Sequence, residues 1–403
     1  MEVINPVIKN KLKEGTENPE SFWDQAAREL PWLKTWDQVF EYDYPTFNWF
    51  IGAKTNLSYM CIDHHINQGR GGHTAFIYAN ELGQREQITY AQLKRAVEKA
   101  AAALRGLGIG KGDRLTIYMP NTLETVMLML ATVRIGAIHS VVFAGFGAPA
   151  LADRIKASGS KAVFSADIAY RKGSEVQLKS IVDDAIDLGC DSVERQVVLK
   201  RHAETPMREG IDISWQDFLL LGEGHSGNYE PMEANDPAYI LATSGTTATP
   251  KLAVHTHGGY PVGVYSQGKW CFGLNHDDIW WATSDLGWAV GHSYIVYGPL
   301  LFGATSIVYE GALDHPGPDV FWKLSEEFSL TGIFTSPTAV RLLMKFGEEP
   351  AKGFDISALK RIVCAGEVLN PPAWEWLQKR VLEDRIPVID NWWQTETGAP
   401  VIG

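Results

Sequence analysis

The chain has 403 residues, of which 45% are hydrophobic and 21% are charged. This is an ordinary globular composition, and the length is enough for two or three packed units. The net charge of −12 argues against nucleic acid or an anionic membrane surface as the main partner, although it leaves room for a local basic pocket. The four cysteines are far apart in sequence, which is typical of reduced thiols rather than of a disulfide frame or a zinc site.

Residues 1–72 are predicted to form an irregular, partly helical arm. The first fifteen residues contain no apolar signal core, and the sequence contains no long uncharged apolar run, so we expect a cytoplasmic protein without a membrane partner. Pro19 and Glu20 start one predicted helix, which extends to Leu30, and a second covers 56–67. The many aromatic residues between these helices are expected to fix the arm to a larger body.

From residue 73 onward, short apolar strands alternate with helices. The first series is predicted as strands 74–78 and 87–89, helix 90–107, strand 114–119, helix 122–135, strand 138–143, helix 148–158, strand 162–165, helix 175–188 and strand 196–199. A polar stretch, 221–237, separates this series from a second one. The second is predicted as strand 279–283, helix 290–302, strand 306–309, helix 320–328, strand 333–335, helix 337–346, strand 362–364, helix 373–382 and strand 388–390.

This alternation predicts an α/β fold with two similar doubly wound, mainly parallel sheets packed side by side with flanking helices. We divide the chain into an N-terminal arm (1–72), a first α/β subdomain (73–220) and a second (221–403). A ligand is expected at the junction of the two halves, beyond the carboxyl ends of the strands.

The most informative stretch follows the strand-like run 238–242. It contains five hydroxyl side chains, one glycine and one lysine within nine residues: Thr243, Ser244, Gly245, Thr246, Thr247, Ala248, Thr249, Pro250 and Lys251. Hydroxyls and free backbone N–H groups can surround a phosphate, and the lysine adds positive charge. This is not a Walker A loop, because Lys251 begins another strand-like run rather than a helix. A plain polar turn between two strands is the alternative.

Three further motifs also follow predicted strands. In the first, Ala365, Gly366, Glu367 and Val368 precede a helix, and the glycine would let a flat ring approach the backbone. The second is the unusual run Asp390-Asn391-Trp392-Trp393-Gln394-Thr395-Glu396-Thr397-Gly398. The third is 285–294, a segment rich in aromatic residues in which His292 is expected to be a packed histidine without an acid–base role.

Together these motifs resemble those of the adenylate-forming enzymes: acyl-CoA synthetases, peptide-synthetase adenylation domains and luciferases. Trp392 to Gly398 is similar to the acetyl-CoA synthetase branch, and the resemblance covers nearly the whole chain. It implies an AMP-forming acid–thiol ligase that uses ATP and Mg²⁺. A carboxylate attacks the α-phosphate of ATP, and CoA then displaces AMP from the acyl-adenylate. The chain departs from the family at Ala248 and Val368, where glycine and proline are usual.

The resemblance also implies roles for individual residues. Thr243, Lys251, Thr395 and Glu396 would be catalytic, with Glu396 as the ligand of Mg²⁺. The ATP-binding set would be Thr243, Ser244, Gly245, Thr246, Thr247, Lys251, Gly366, Glu367, Val368, Asp390, Asn391, Trp392, Trp393, Gln394 and Thr395. The acyl pocket would be formed by Ala289, Val290, Ala365 and Trp393.

The indole of Trp393 would leave room for only a few carbons, so the expected substrate is acetate, propionate or a similar acid of two to four carbons. For coenzyme A the implied residues are Phe143, Ala144, Gly145, Arg171, Lys172 and Ser336. A solvated basic pair remains the alternative for Arg171 and Lys172. Ser174 stands where acetyl-CoA synthetases usually have a second arginine.

The β-barrel subdomain and the C-terminal domain of the family, with its adenylation lysine, have no counterpart in these 403 residues, so we expect this chain to be inactive by itself. Two other functions stay open: a nucleotide-binding or regulatory module without catalysis, and an adenylation domain that loads a carrier protein. A homo-oligomer also stays open.

Overall fold

The computed structural model describes residues 6–243 and 250–403. The strands are β1 (Gln38–Asp43), β2 (Thr46–Ile51), β3 (Lys54–Thr55), β4 (Thr74–Asn80), β5 (Arg85–Thr89), β6 (Arg114–Tyr118), β7 (Ile138–Val141), β8 (Ala162–Ala166), β9 (Ile168–Arg171), β10 (Ser174–Gln177), β11 (Arg195–Leu199), β12 (Asp212–Ser214), β13 (Met232–Glu233), β14 (Pro237–Thr243), β15 (Lys251–Thr256), β16 (Ile279–Ala282), β17 (Thr305–Glu310), β18 (Gly332–Thr335), β19 (Arg361–Cys364) and β20 (Val388–Asp390).

The helices lie mostly between the strands. They are α1 (Pro6–Glu17), α2 (Pro19–Ala27), α3 (His64–Asn67), α4 (Tyr90–Gly106), α5 (Leu123–Arg134), α6 (Ala148–Ser158), α7 (Leu178–Asp187), α8 (Trp215–Leu220), α9 (Gly259–Phe272), α10 (Gly298–Phe302), α11 (Val320–Glu327), α12 (Pro337–Met344), α13 (Glu349–Lys352) and α14 (Pro371–Glu375). Three π-helical segments adjoin α3, α10 and α14: Tyr59–Asp63, Gly291–Tyr297 and Trp376–Val381. Across the described ranges, none of the helices has the length and apolar character needed to cross a bilayer.

Two seven-stranded sheets form the body of the molecule. The first sheet has the order β12-β11-β8-β6-β7-β14-β15, and the second has the order β20-β19-β18-β16-β17-β4-β5. All neighbours within each sheet are parallel except for one antiparallel edge strand, β15 in the first sheet and β5 in the second. The predicted fold class, two doubly wound and mainly parallel sheets, is therefore confirmed.

The sheets do not follow the order of the chain. Strands β4 and β5 come first in sequence but pair in the second sheet, where Ser306 of β17 lies opposite Phe76. Conversely, β14 and β15 follow residue 220 but complete the first sheet. The predicted domain boundaries at residues 72 and 220 stay predictions. Each sheet, however, contains strands from both sides of residue 220.

Local differences from the predicted elements have local causes. Part of the aromatic arm is a β-hairpin, in which β1 pairs with β2 and the Phe40 ring packs on Trp49 with centroids 4.4 Å apart. The helix expected from residue 175 begins at Leu178, because β9 and β10 form a second hairpin just before it. The helix expected over 56–67 begins at Leu57 and contains a π-helical stretch, Tyr59–Asp63.

One large cluster of buried apolar side chains extends through both sheets and includes Leu115, Trp280 and Val363. A buried ion pair lies beside it. The guanidinium of Arg134 contacts both carboxylate oxygens of Asp63, at 2.7 and 3.1 Å. Lys94 approaches the same carboxylate at 3.0 Å. The common core makes the two sheets one packed body.

Candidate active site

The carboxyl ends of strands from the two sheets meet at one junction, where Asn121 links them. Asn121 follows β6, and its side-chain Nδ2–H group donates to the carbonyls of Ser284 at 3.0 Å and Tyr309 at 3.2 Å. Its Oδ1 accepts from the N–H of Leu286 at 3.0 Å. One side chain that follows a strand of the first sheet thus positions one loop and one strand end of the second.

The residues that flank the predicted phosphate loop lie on adjacent strands of the first sheet. Thr243 ends β14 and Lys251 begins β15, and the two residues pair across the hairpin. Ser244, Gly245, Thr246 and Thr247 lie outside the described residues, so their ATP-binding roles stay predictions. Lys251 is exposed. Its ammonium group can therefore meet a ligand at the edge of the first sheet.

His255 connects this hairpin to the segment that carries Thr395 and Glu396. Its Nε2 lies 2.8 Å from the carbonyl oxygen of Thr395, and its ring stacks on Tyr239 with centroids 4.6 Å apart. Burial lowers the pKa of His255 to about 4, although the Thr395 carbonyl and the charge of Glu396 oppose this shift. At neutral pH the imidazole is neutral and donates its Nε2–H to the carbonyl. The segment that carries the candidate metal ligand is thereby held against β15, the strand that follows the predicted phosphate loop.

A second contact fixes the far end of the same segment. The Ser293 hydroxyl donates to the carbonyl of Gly398 at 2.6 Å, and Ser293 also bonds the Tyr260 hydroxyl at 2.9 Å. Gly398 has φ +67°, and a Cβ there would lie 2.9 Å from both His255 and Tyr260. Only glycine fits this close turn.

Glu396 itself is exposed. No cationic side chain lies within ion-pair distance of it in the part of the chain that the structure describes, nor does that part contain a ready-made cluster of three metal ligands. Such an exposed carboxylate would suit a hard cation that takes its other ligands from phosphate and water.

The residues after β19 form an open edge. Gly366 is exposed with φ +105°, and a Cβ built on it would meet nothing within 4 Å, so a flat ring has room to approach. The side chain of Glu367 is occupied by hydrogen bonds from Thr338 and Arg341, the latter at 2.5 Å. These two partners lower the pKa of Glu367. Val368 is 80% exposed and makes this edge partly apolar.

The residues after β20 divide into buried and exposed members. The Asn391 amide is buried and donates to the carbonyl of Cys364 at 2.8 Å, which ties β20 to β19. Asp390, Trp392 and Gln394 are exposed. The backbone of Trp392 pairs with Ile402, closing the segment into a loop.

Trp393 packs inward against the core. Its ring lies edge-on to Tyr294 with centroids 5.9 Å apart and 6.4 Å from Phe334. Ala365 belongs to the same apolar cluster, and two partly buried residues, Ala289 and Val290, pack against it as Trp393 does. The four predicted acyl-pocket residues are therefore associated with one apolar region, although their role as a pocket stays a prediction.

A cavity of about 120 Å³ brings together most residues predicted for coenzyme A. Phe143, Ala144, Gly145 and Arg171 all line it, with Asn121 and Asp285 on the same wall. Burial raises the pKa of Asp285 to about 6, against the opposing effects of the Gly287 N–H and the charge of Arg171. The cavity thus combines apolar ring edges with two acids, Asp285 and Glu310, and one base, Arg171.

Two loops meet closely at the mouth of this cavity. A Cβ on Gly287 would lie 2.4 Å from the backbone nitrogen of Phe143, so this contact requires glycine. The rings of Phe143 and Phe146 contact Trp288 at 5.5 and 6.0 Å between centroids. Trp288 remains 47% exposed, and it presents an aromatic surface to solvent.

Two predicted residues have other contacts in the structure. The ammonium group of Lys172 pairs with Asp314 at 2.7 Å, and the hydroxyl of Ser336 caps α12 by accepting from the N–H of Ala339 at 3.1 Å. Neither lines the 120 Å³ cavity. Their coenzyme A roles stay predictions, but Arg171 is better placed than Lys172.

Sequence reasoning missed several residues at the junction, of which Asn121, Tyr309 and Glu310 are the clearest. Asn121 had a usable signal, because it is a polar residue directly after a predicted strand. A larger cavity of about 360 Å³ lies away from the junction and is lined by His64, His65 and Arg70 among others. We assign it no role.

Comparison with known proteins identifies the family of the chain. Residues 62–403 match the AMP-binding enzyme family, and the chain belongs to that family. Residues 8–61 match the acetyl-coenzyme A synthetase N-terminus.

Individual relatives are similar to the chain in sequence or in structure. The chain is 43% identical to an acetyl-coenzyme A synthetase of Rubrobacter xylanophilus over 97% of its own length and 61% of the relative's. It is 45% identical to a 3-hydroxypropionyl-coenzyme A synthetase of Sulfurisphaera tokodaii, over 98% of its own length and 60% of the relative's. An acetoacetyl-CoA synthetase from Streptomyces lividans has a similar structure, with a TM-score of 0.84 and 25% sequence identity. The match covers 94% of this chain and 58% of that one. The chain thus spans about three fifths of the length of these relatives.

Proposed function

We propose that this chain carries the substrate-binding part of an AMP-forming acid–thiol ligase for short-chain acids. The observation that carries the proposal is the arrangement at the junction. The flanks of the phosphate loop, an exposed carboxylate, an apolar region around Trp393 and the 120 Å³ cavity all lie where the two sheets meet. The names of the relatives support an acyl-CoA product.

In the first half-reaction, a carboxylate oxygen of the acid attacks the α-phosphorus of ATP, and the bond to pyrophosphate breaks. The chain contributes by positioning the two anions and by neutralising their charge. Thr243, Lys251 and the hydroxyls between them would hold the phosphates, and Thr395 would contact the α-phosphate. Glu396 would hold Mg²⁺, which when bound neutralises phosphate charge.

In the second half-reaction, the thiolate of coenzyme A attacks the acyl carbonyl, a thioester forms and AMP leaves with the bonding electrons. The 120 Å³ cavity would take part of coenzyme A, with Arg171 facing a phosphate of its nucleotide end. Gly366 and the exposed residues after β20 would lie against the adenine and ribose of ATP.

The acyl group would be small because Trp393 is packed against Tyr294 and Phe334 and cannot easily move aside. Ala289 and Ala365 leave more room than the larger residues usual in acetyl-CoA synthetases. We therefore propose a preference for an acid of two to four carbons. The 3-hydroxypropionyl relative is consistent with a three-carbon acid.

The test is calorimetric binding of non-hydrolysable acyl-adenylate analogues that differ only in acyl length. We expect affinity to peak between two and four carbons. Trp393→Gly should shift the peak to longer chains, since each accommodated methylene is worth about 1–3 kcal/mol in such a pocket. Trp392→Gly is the matched control: it removes an exposed neighbouring indole, so it should weaken all analogues alike.

Other outcomes have distinct meanings. Saturable binding without length preference would refute the acyl pocket but retain the nucleotide site. Binding of ATP without any binding of the acyl-adenylates would favour a regulatory nucleotide-binding module. Binding of the acyl-adenylates without binding of coenzyme A would favour an adenylation domain that loads a carrier protein.

A further inference from the structure

The hairpin that carries Arg171 has an unusual turn. Strands β9 and β10 are joined by only two residues, Lys172 and Gly173, with φ +51° and +73°. This conformation is costly for a lysine and directs two consecutive N–H groups to the same side. These two N–H groups can donate to one acceptor outside the hairpin.

The carboxylate of Glu81 is that acceptor. Its Oε2 accepts from the N–H of Lys172 at 2.9 Å, and its Oε1 accepts from the N–H of Gly173 at 2.8 Å. Glu81 follows β4 in the second sheet and is only 9% exposed. Hydrogen bonds to a charged acceptor with little access to water are stronger than neutral ones.

A second buried carboxylate holds the base of the hairpin. Glu310 accepts from the N–H of Tyr170 at 3.2 Å and pairs with both terminal nitrogens of Arg201, at 2.6 and 2.9 Å. The Arg201 guanidinium lies over the Tyr170 ring, 5.1 Å from its centroid. The hairpin is therefore anchored at both ends by acids of the second sheet.

These contacts leave Arg171 as the available cation. Lys172 is paired with Asp314, as described above. The Arg171 side chain is exposed, lines the 120 Å³ cavity and makes neither a hydrogen bond nor an ion pair within residues 6–243 and 250–403. The backbone of the hairpin is fixed, while the guanidinium stays free for a ligand.

We propose that Glu81 is a positioning residue for coenzyme A: it fixes the Lys172–Gly173 turn so that Arg171 faces the 3′-phosphate of the nucleotide. This inference rests on the proposed function. Because the turn is ordered before the ligand arrives, binding does not have to meet the entropic cost of ordering it. Glu81 itself touches no substrate.

The test compares binding of coenzyme A and dephospho-coenzyme A, which lacks only the 3′-phosphate, by calorimetry. Wild-type chain should prefer coenzyme A, and Arg171→Gln should abolish the preference. Glu81→Gln should weaken coenzyme A by about tenfold, equivalent to one charge-assisted hydrogen bond, and leave dephospho-coenzyme A unchanged. Glu86→Gln, an exposed acid on β5, is the control and should change neither.

A second variant avoids the buried carboxylate. Gly173→Ala strains the turn at φ +73° and should reduce the same selectivity. If Glu81→Gln and Gly173→Ala weaken both ligands equally, or neither, the positioning role is wrong while the proposed function stands. If wild-type chain binds no coenzyme A, or if Arg171→Gln has no effect, the proposed coenzyme A site is wrong and the inference fails with it.

Discussion

Replacing Asn121 with alanine tests whether the junction of the two sheets depends on one side chain. The change removes three hydrogen bonds, to the Ser284 and Tyr309 carbonyls and from the Leu286 N–H. At about 1 kcal/mol net for each bond, the expected loss of unfolding free energy is about 3 kcal/mol. For 403 residues, the entropy of unfolding is roughly 0.85 kcal/mol/K, so the melting temperature should fall by about 3–4 °C.

The assay is thermal unfolding followed by tryptophan fluorescence, alongside binding of coenzyme A. Asn67→Ala is the control, because Asn67 is exposed at the end of α3 and its side chain makes no hydrogen bond among the residues that the structure describes. Asn121→Asp should destabilise at least as much as alanine at pH 7, since it places a carboxylate oxygen against two carbonyl oxygens. If the melting temperature of Asn121→Ala shifts only as much as that of Asn67→Ala, and coenzyme A binding is unchanged, the assignment of Asn121 as the link between the sheets is refuted.

Two further predictions concern stability. Arg134→Met removes the main partner of the buried Asp63 carboxylate and should cost about 3 kcal/mol in urea unfolding, with less loss for the double variant with Asp63→Leu. Arg28→Met, at an exposed ion pair, should change little, and equal losses at the two sites would contradict the argument. Burial lowers the pKa of His255 to about 4 and that of His292 to about 3, below the ordinary 6.5. The contribution that each neutral histidine makes to the free energy of unfolding is complete above pH 6.5. It is lost as the pH falls toward 4, by up to about 1.4 kcal/mol per pH unit for each histidine. His255→Asn should flatten that dependence in a melting series, whereas an unchanged slope would show that His255 is not neutral when folded.

Much of the fold was predictable because the strands carry their own signals. Helix α6 lies over 148–158 and β20 over 388–390, as predicted, and α4 begins at Tyr90, the first residue of the predicted helix 90–107. The hairpin of β9 and β10 was missed because its turn, Lys172-Gly173, is very short and because most of β10 lies in the segment interpreted as the start of helix 175–188. The pairing of β4 with β17 could not be inferred locally, since the partners are more than two hundred residues apart.

The site was predictable where chemistry is concentrated in short motifs. Parallel strands place their carboxyl ends together, which is why Asn121, after β6, and Phe143, after β7, line one cavity. The supporting acids were not predictable in the same way. Glu81 and Glu310 act through contacts with backbone and side chains distant in sequence, and a lone glutamate at a strand end has no distinguishing pattern.

The exchange of strands between the sheets has a consequence for synthesis of the chain. Strand β4 is made early, yet its parallel partner β17 emerges only after residue 305. Until then β4 lacks its partner on that side, and an unpaired strand edge of this kind is a template for aggregation. Neither sheet can be completed while only the first half of the chain has left the ribosome. Folding must therefore wait for most of the polypeptide, and the nascent protein needs protection for that interval.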